Sequence, residues 1–226
     1  MKKRDILTLL VSFTLLFSVT SCSKDTLETS NTDPSANELN SSDVNEVITS
    51  FEDAYLYIEY EKVDYDKIGN LIGTTEDGYF ISISDSTEIE EFCKDMSLDS
   101  QKVKHYVLGG KKADKTYFYA YAIEFVDSAS ANEYYEQTVI DYNLDNYVDW
   151  FTQYDNYHTQ VEKGDGYITA AVKTNGGGTQ IYYDIRINDN IVTIIQFHMD
   201  AYNKYYVYDL KDFCIETGMK HPEEIL

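Results

Sequence analysis

Hydrophobic residues recur at three- and four-residue intervals in five parts of the chain, which is the spacing of one face of an α-helix. The first part begins at Asp43, which forms a capping-box-like pair with Glu46. The inward faces predicted for the five helices are Val47, Phe51, Ala54, Tyr55 and Ile58; Ile89, Phe92, Cys93 and Met96; Ala131, Tyr134, Tyr135 and Val139; Tyr147, Trp150, Phe151 and Tyr154; and Val207, Leu210, Phe213 and Cys214.

Other segments alternate between apolar and polar residues, or form short apolar runs between turn residues, as β-strands do. The predicted strands are 79–84, 103–108, 116–126, 167–174, 181–187 and 191–198. Gly109 and Gly110 are interpreted as the turn of a hairpin, and the last three strands as a meander. Short turns between consecutive strands favour antiparallel pairing. We therefore predict an α+β fold, with a mostly antiparallel sheet and the helices packed on one face.

Before the first predicted helix the pattern changes twice. Residues 6–19 are mostly apolar and follow the basic residues 2–4, as in an export signal. The run is also shorter than the ~20 residues that cross a bilayer. The polar, aperiodic stretch that comes next is typical of a flexible tether. The predicted organisation is a signal peptide at 1–21, a tether at 22–42 and a single globular domain at 43–226.

The end of the apolar run, Val19-Thr20-Ser21-Cys22, resembles the lipobox of bacterial lipoproteins: an aliphatic residue, two small residues and a cysteine. In that family the cysteine receives diacylglycerol and a peptidase then cuts before it. The resemblance implies that Cys22 is the lipidated first residue of the mature chain, anchored at the outer face of the cell membrane. The composition resembles that of Tyr- and Asp-rich surface lipoproteins of low-GC Gram-positive bacteria. The alternative is ordinary secretion with an incidental cysteine.

The chain is strongly acidic, with a net charge of -22. Such a surface repels phosphate backbones, which excludes nucleic acid as a partner. Five lysines nevertheless lie on and around the predicted hairpin: Lys102, Lys104, Lys111, Lys112 and Lys115. They are interpreted either as a basic patch for an anionic partner or as protection of an edge hairpin against aggregation.

Few residues carry a pattern that predicts chemistry. Cys93 and Cys214 are the only cysteines after Cys22, and they could form a disulfide outside the cytoplasm or stay as buried free thiols. Residues 141–145 begin like a calcium loop, but Asn146 stands where that loop needs glycine. We therefore predict no metal, no cofactor and no catalytic residue.

Tyrosine is the most unusual component, with 22 residues. When exposed, its flat apolar ring and polar tip suit sugar or peptide recognition. The candidate ligand-binding aromatics are Tyr142, Tyr147, Trp150, Tyr154 and Tyr157. Their helical spacing is equally what a core-facing helix needs, so core packing is the competing interpretation.

Three hypotheses about function follow. The first is a membrane-anchored extracytoplasmic lipoprotein that binds a partner or ligand without catalysis. The second is carbohydrate or peptide capture, which requires solvent-facing and coplanar aromatic rings. The third is an uncharacterised hydrolase, which requires two carboxylates that converge in a pocket, at least one with a raised pKa.

Overall fold

The computed structural model describes residues 41–71, 77–113, 116–175, 180–199 and 205–225. The predicted signal peptide, Cys22, almost all of the tether, and Lys115 lie outside these residues. The elements are α1 (Ser41–Tyr57), β1 (Glu61–Lys62), α2 (Tyr65–Leu71), β2 (Tyr79–Ile83), α3 (Ser86–Met96), β3 (Val103–Ala113), β4 (Thr116–Phe125), α4 (Ser128–Tyr142), α5 (Leu144–Thr152), β5 (Tyr157–Gly164), β6 (Tyr167–Thr174), β7 (Gln180–Asn188), β8 (Ile191–Met199) and α6 (Tyr205–Thr217).

The strands form one sheet in the order β1-β2-β3-β4-β8-β7-β6-β5. Every neighbouring pair is antiparallel except β1 and β2, which are parallel. The predicted α+β class and the mostly antiparallel sheet are therefore confirmed. β5 was not predicted, because polar residues predominate in this edge strand and all eight of its residues are at least partly exposed.

Helices cover both faces of the sheet, which corrects the prediction that they pack on one face. We call α2 to α5 and the strand residues that face them the upper layer. The lower layer consists of α1, α6 and the strand residues on the opposite side. The central strands are buried on both sides, as in β4 and β8. Because successive side chains of a strand point to opposite faces, each apolar face needs its own cover.

The glycines predicted to form a hairpin turn lie inside a strand instead. β3 continues through Gly109 and Gly110, which pair with Ala120 and Tyr119 of β4. A Cβ atom at Gly109 would lie 2.6 Å from the ring of Tyr55. Glycine is therefore needed for close packing at this position and not for a turn.

The inward faces of most helices match the prediction. In α3, Ile89 and Phe92 are buried, and Asp85 caps the helix by accepting hydrogen bonds from two backbone amides. The predicted inward residues of α1 and α6 also face the core, except Val207, whose side chain lies outside the described part. α5 departs from the prediction, since Leu144, Val148 and Phe151 are its buried residues.

None of the helices in the described ranges has both the length and the apolar character needed to cross a bilayer.

Candidate functional site

The five candidate aromatics divide between the interior and the surface. Tyr142 and Tyr147 are half-buried in the upper layer. The hydroxyl of Tyr142 lies 3.4 Å from that of Tyr121. The ring of Tyr147 meets that of Tyr183 edge-on at 5.8 Å between centroids. These two tyrosines therefore belong to the core, as the competing interpretation expected.

Trp150, Tyr154 and Tyr157 form a surface at the end of α5 and the start of β5, which we call the edge aromatic surface. Trp150 is 54% exposed and Tyr154 is 42% exposed, while Tyr157 is half-buried. This outcome corrects the prediction that Trp150 and Tyr154 lie on the inward face of a helix.

The local backbone explains this exposure. α5 ends at Thr152, so Tyr154 lies beyond the helix and no longer follows its spacing. Phe151 is buried and anchors the surface to the core, because the ring of Trp150 packs edge-on against it at 4.9 Å. The amide of Tyr157 donates to the carbonyl of Tyr154, which closes the turn into β5.

The rings of the edge aromatic surface are angled to one another. Trp150 and Tyr154 are 5.2 Å apart at 63°, and Tyr154 and Tyr157 are 6.1 Å apart at 60°. The coplanar platform that the carbohydrate hypothesis requires is therefore not formed by these three rings. At these distances the rings pack against one another, so a ligand would contact their solvent-exposed sides.

The chain segment that carries the edge aromatic surface is acidic, although the register places Lys173 of β6 opposite His158. Residues 141–157 contain four aspartates and neither lysine nor arginine. Asp149 and Asp155, which flank the exposed rings in sequence, are themselves exposed. No three His, Cys, Asp or Glu side chains of the described residues are grouped so that they could hold a metal ion.

The edge aromatic surface adjoins an edge of the sheet, because within the described residues β5 has a strand neighbour on one side only. The amide of Asn175 donates to the carbonyl of Asn156 at 2.9 Å, and the register pairs Tyr157 with Thr174. Hydrogen-bonded pairs alternate in an antiparallel ladder, so the even-numbered residues of β5 bond to β6. The backbone N–H and C=O groups of Thr159 and Val161 therefore point away from the sheet.

The other tyrosines form a hydroxyl network inside the upper layer. The amide of Gln196 donates to the hydroxyl of Tyr142, and Tyr121 joins the same chain. Burial raises the pKa of Tyr134 to about 12 and that of Tyr121 well above its ordinary value. The hydroxyl of Tyr106 is buried and has no hydrogen-bond partner among the described residues. These tyrosines are neutral core residues at physiological pH.

Sequence reasoning missed a buried ion pair in the lower layer. Asp184 is 0% exposed and accepts two hydrogen bonds from Arg186, Nε to Oδ1 at 2.9 Å and Nη2 to Oδ2 at 2.8 Å. Thr169 and Tyr182 donate to the same carboxylate. Burial opposes the charge on Arg186, but the bond to Asp184 outweighs it and raises the pKa of the guanidinium. One signal was available: Arg186 is the only arginine after Arg4.

The described carboxylates do not favour the hydrolase hypothesis. Asp184 is surrounded by its own hydrogen-bond donors and is closed to solvent. The pKa of Glu52 is lowered, because hydrogen bonds from Ser82 and Lys62 outweigh the effect of burial. The pKa of Asp127 is lowered by hydrogen bonds from Ser130. Neither Glu52 nor Asp127 has the raised pKa that a general acid needs near neutral pH.

The two cysteines lie in different layers. Cys93 belongs to the upper layer and Cys214 to the lower layer, and both are buried free thiols. The sheet separates them, so of the two alternatives from the sequence the structure shows the buried free thiols and not the disulfide. Burial raises the pKa of Cys93 to about 11, which disfavours the reactive thiolate.

The predicted basic patch is dispersed along β3. Lys102 immediately precedes the strand and pairs with Glu133. Lys104 lies near the start of the strand and pairs with Glu124. Lys111 lies near its other end, 2.6 Å from Asp209 of α6, and Lys112 is half-buried beside it. Lys104 and Lys111 are seven positions apart in β3, which places them roughly 23 Å from each other.

β3 also lies between β2 and β4. The interpretation of these lysines as protection of an edge hairpin is therefore wrong, as is the interpretation as one patch.

No family model matches the chain, and no curated protein matches it. Among solved structures, the extracellular domain of PknH from Mycobacterium tuberculosis is similar, with a TM-score of 0.34 and 9% identity. The alignment covers 69% of this chain and 92% of that chain. Similarity at this level does not establish a common function.

Proposed function

We propose that this protein is a lipid-anchored binding protein of the cell envelope, which holds a non-catalytic domain outside the membrane and contacts its ligand through the edge aromatic surface. The observation that carries the binding role is the exposure of Trp150, the only tryptophan of the chain, next to Tyr154. Tryptophan and tyrosine are enriched among the residues that dominate binding energy at interfaces.

The anchor is supported by the residues that surround Cys22. Basic residues, a short apolar run and the sequence Val19-Thr20-Ser21-Cys22 occur in the order that lipoprotein export requires. Two acyl chains on Cys22 would hold the protein stably, and a tether of about 20 residues has a span of roughly 25 Å. The domain would then lie close to the membrane without entering it.

Metabolic labelling with palmitate tests the anchor. We expect the wild-type chain to take up label and partition into detergent, and the Cys22→Ser variant to lose both properties. Cys93→Ser is the matched control, because Cys93 is buried in the folded domain and its loss should leave labelling unchanged. An unlabelled wild-type protein recovered from the cytosol would contradict the proposal.

Fluorescence of Trp150 tests the binding role, because this residue is the only tryptophan. The processed chain from Ser23 to Leu226 would be titrated with short peptides of differing charge and with neutral oligosaccharides. We expect one class to change the emission saturably. Calorimetry on the Trp150→Ala and Tyr154→Ala variants should then show weaker binding of that class. If every probe fails to bind, or both variants bind normally, the edge aromatic surface is not the site.

A further inference from the structure

We infer that the ligand of the edge aromatic surface is a positively charged polypeptide segment, which adds to β5 as a further strand of the sheet. The inference rests on the proposed function and specifies the ligand of the same site. It follows from three features near the start of β5: a strand edge that is open within the described residues, exposed angled rings, and the exposed residues Asp149 and Asp155, which we call the acidic rim.

The open strand edge supplies the main-chain contacts. β5 is eight residues long, whereas β1 at the opposite edge has two. Backbone groups of Thr159 and Val161 point to the open side, as the ladder with β6 requires. An extended peptide pairs with such groups through its own main chain, and this mode of recognition tolerates varied sequences.

The edge aromatic surface supplies a preference for cations. Trp150 and Tyr154 are exposed near Tyr157, the first residue of β5. Lysine and arginine side chains bind over aromatic faces and pair with carboxylates. A strand added along β5 would bring its side chains past these rings at one end.

The acidic rim determines which sign of charge a partner should carry. Asp149 and Asp155 are exposed and directly adjoin Trp150 and Tyr154 in sequence, and residues 141–157 carry no lysine or arginine. A cationic segment is attracted to this rim, and an anionic one is repelled. Charge complementarity therefore favours a lysine- or arginine-bearing peptide.

The same charge disfavours two other occupants. A second copy of the chain, with a net charge of -22, would bring like charge to β5 if the two β5 edges paired. The predicted tether carries Asp25, Glu28, Asp33 and Glu38 against Lys24. It is therefore a poor match for an acidic rim.

The test uses a labelled decapeptide of alternating lysine and valine, titrated into the processed chain and followed by fluorescence anisotropy. We expect saturable binding that weakens as salt is added, because exposed charges are screened. Two matched peptides separate the contributions. Replacing lysine by glutamate tests the charge, and N-methylation of alternate backbone amides tests the strand pairing. Each change should weaken binding by about tenfold or more, which corresponds to the loss of one or two good contacts.

Variants of the protein locate the contacts. Trp150→Ala and the double change Asp149→Asn with Asp155→Asn should each weaken binding of the lysine peptide. Thr159→Pro removes one outward amide while leaving the ladder to β6 intact, so it should also weaken binding. Tyr208→Ala is the control, since Tyr208 is 62% exposed on α6 in the other layer. Circular dichroism would verify folding, and the N-methylated peptide still tests strand pairing if Thr159→Pro does not fold.

Each remaining outcome has a defined meaning. If an acidic peptide or an oligosaccharide binds in a Trp150-dependent way and the lysine peptide does not, the inference is overturned and the proposed function stands. Concentration-dependent dimers that Thr159→Pro abolishes would make a second copy the occupant. Binding that appears only after removal of residues 23–40 would make the tether the occupant. If no probe binds, both proposals fail.

Discussion

The two layers of the protein solve the same packing problem with different residues. The lower layer is built around phenylalanine: Phe51, Phe80, Phe118, Phe197 and Phe213 are almost fully buried there. The upper layer relies on tyrosine, with Tyr106, Tyr121 and Tyr183 buried and further tyrosines packed around them. The lower layer also buries Tyr55, Tyr60 and Tyr182, but the upper layer contains more tyrosines.

The difference shows what the high tyrosine content means. Several tyrosine hydroxyls in the upper layer bond to one another or to Gln196, so this part of the core contains polar groups. In the lower layer Tyr55 donates to the carbonyl of Ala120, and Tyr182 and Arg186 donate to Asp184. Tyrosine abundance alone is therefore not a binding signature, and exposure is what distinguishes the edge aromatic surface.

The largest expected effect is alkaline unfolding driven mainly by the upper layer. Burial raises the pKa of Tyr106 and Tyr121, and that of Tyr134 to about 12. Unfolded tyrosine has a pKa near 10, so the folded state keeps protons that the unfolded state loses. Their stabilisation is complete below about pH 10 and falls above it, by about 1.4 kcal/mol per pH unit for each tyrosine.

Absorbance of tyrosinate and circular dichroism, recorded together against pH, check this expectation. The buried tyrosines should ionise as the secondary structure is lost. Full ionisation of the chain with an intact dichroism spectrum would contradict it.

The lower layer should respond most to loss of its carboxylate. Asp184→Ala leaves Arg186 half-buried without its partner, and we expect a loss of about 3–5 kcal/mol in the free energy of unfolding. Urea denaturation measures this loss. The double variant Asp184→Ala with Arg186→Met removes the orphaned charge as well and should recover part of the stability. A single variant as stable as wild type would show that the pair is not needed.

Gly109 tests how closely the lower layer is packed. Gly109→Ala places a methyl group 2.6 Å from Tyr55 and Phe80, and such overpacking costs about 1–3 kcal/mol. Gly218→Ala is the control, because nothing lies within 4 Å of its new Cβ and only the backbone at φ +67° opposes it. A smaller loss at Gly109 than at Gly218, measured by thermal unfolding, would contradict the expected tight contact.

Two matched substitutions in the upper layer should have effects of opposite sign. Tyr121→Phe removes a hydroxyl beside that of Tyr142, which should lower the free energy of unfolding by about 1 kcal/mol. Tyr106→Phe removes a buried hydroxyl that has no partner among the described residues, which should raise it by up to about 1 kcal/mol. Equal losses in urea denaturation would mean that Tyr106 has a partner.

The smallest effect on stability is expected at the edge aromatic surface. Trp150→Ala should change the free energy of unfolding by no more than about 0.5 kcal/mol, because the side chain is largely exposed. Its effect on ligand binding should be much larger. A strong loss of stability would instead assign Trp150 to the core.

Local patterns predicted most helices and the meander, because hydrophobic spacing and capping residues such as Asp85 act within a few residues. Local patterns failed where contacts between residues far apart in sequence determine the structure. Gly109 resembles a turn residue in the local sequence, because its close contact with Tyr55, which is far away in sequence, is visible only in the folded structure. The stretch holding the candidate site was identified from composition, but exposure of Trp150 depends on where α5 ends. The burial of the Asp184 and Arg186 pair depends on which face of β7 the lower layer covers.

The pairing of β4 with β8 in the middle of the sheet affects the order in which the chain folds. β4 and β8 are neighbours in space, although the whole of α4 to β7 lies between them in sequence. Strand pairs this far apart in sequence form late, because the entropy cost of closing a long loop must be met before the contacts between the strands can offset it. The hairpins of β5 to β8 can assemble locally, whereas β2 to β4 stay without a neighbour on one side until β8 has been synthesised. The two halves of the sheet can therefore join only after residues 191–199 have been made.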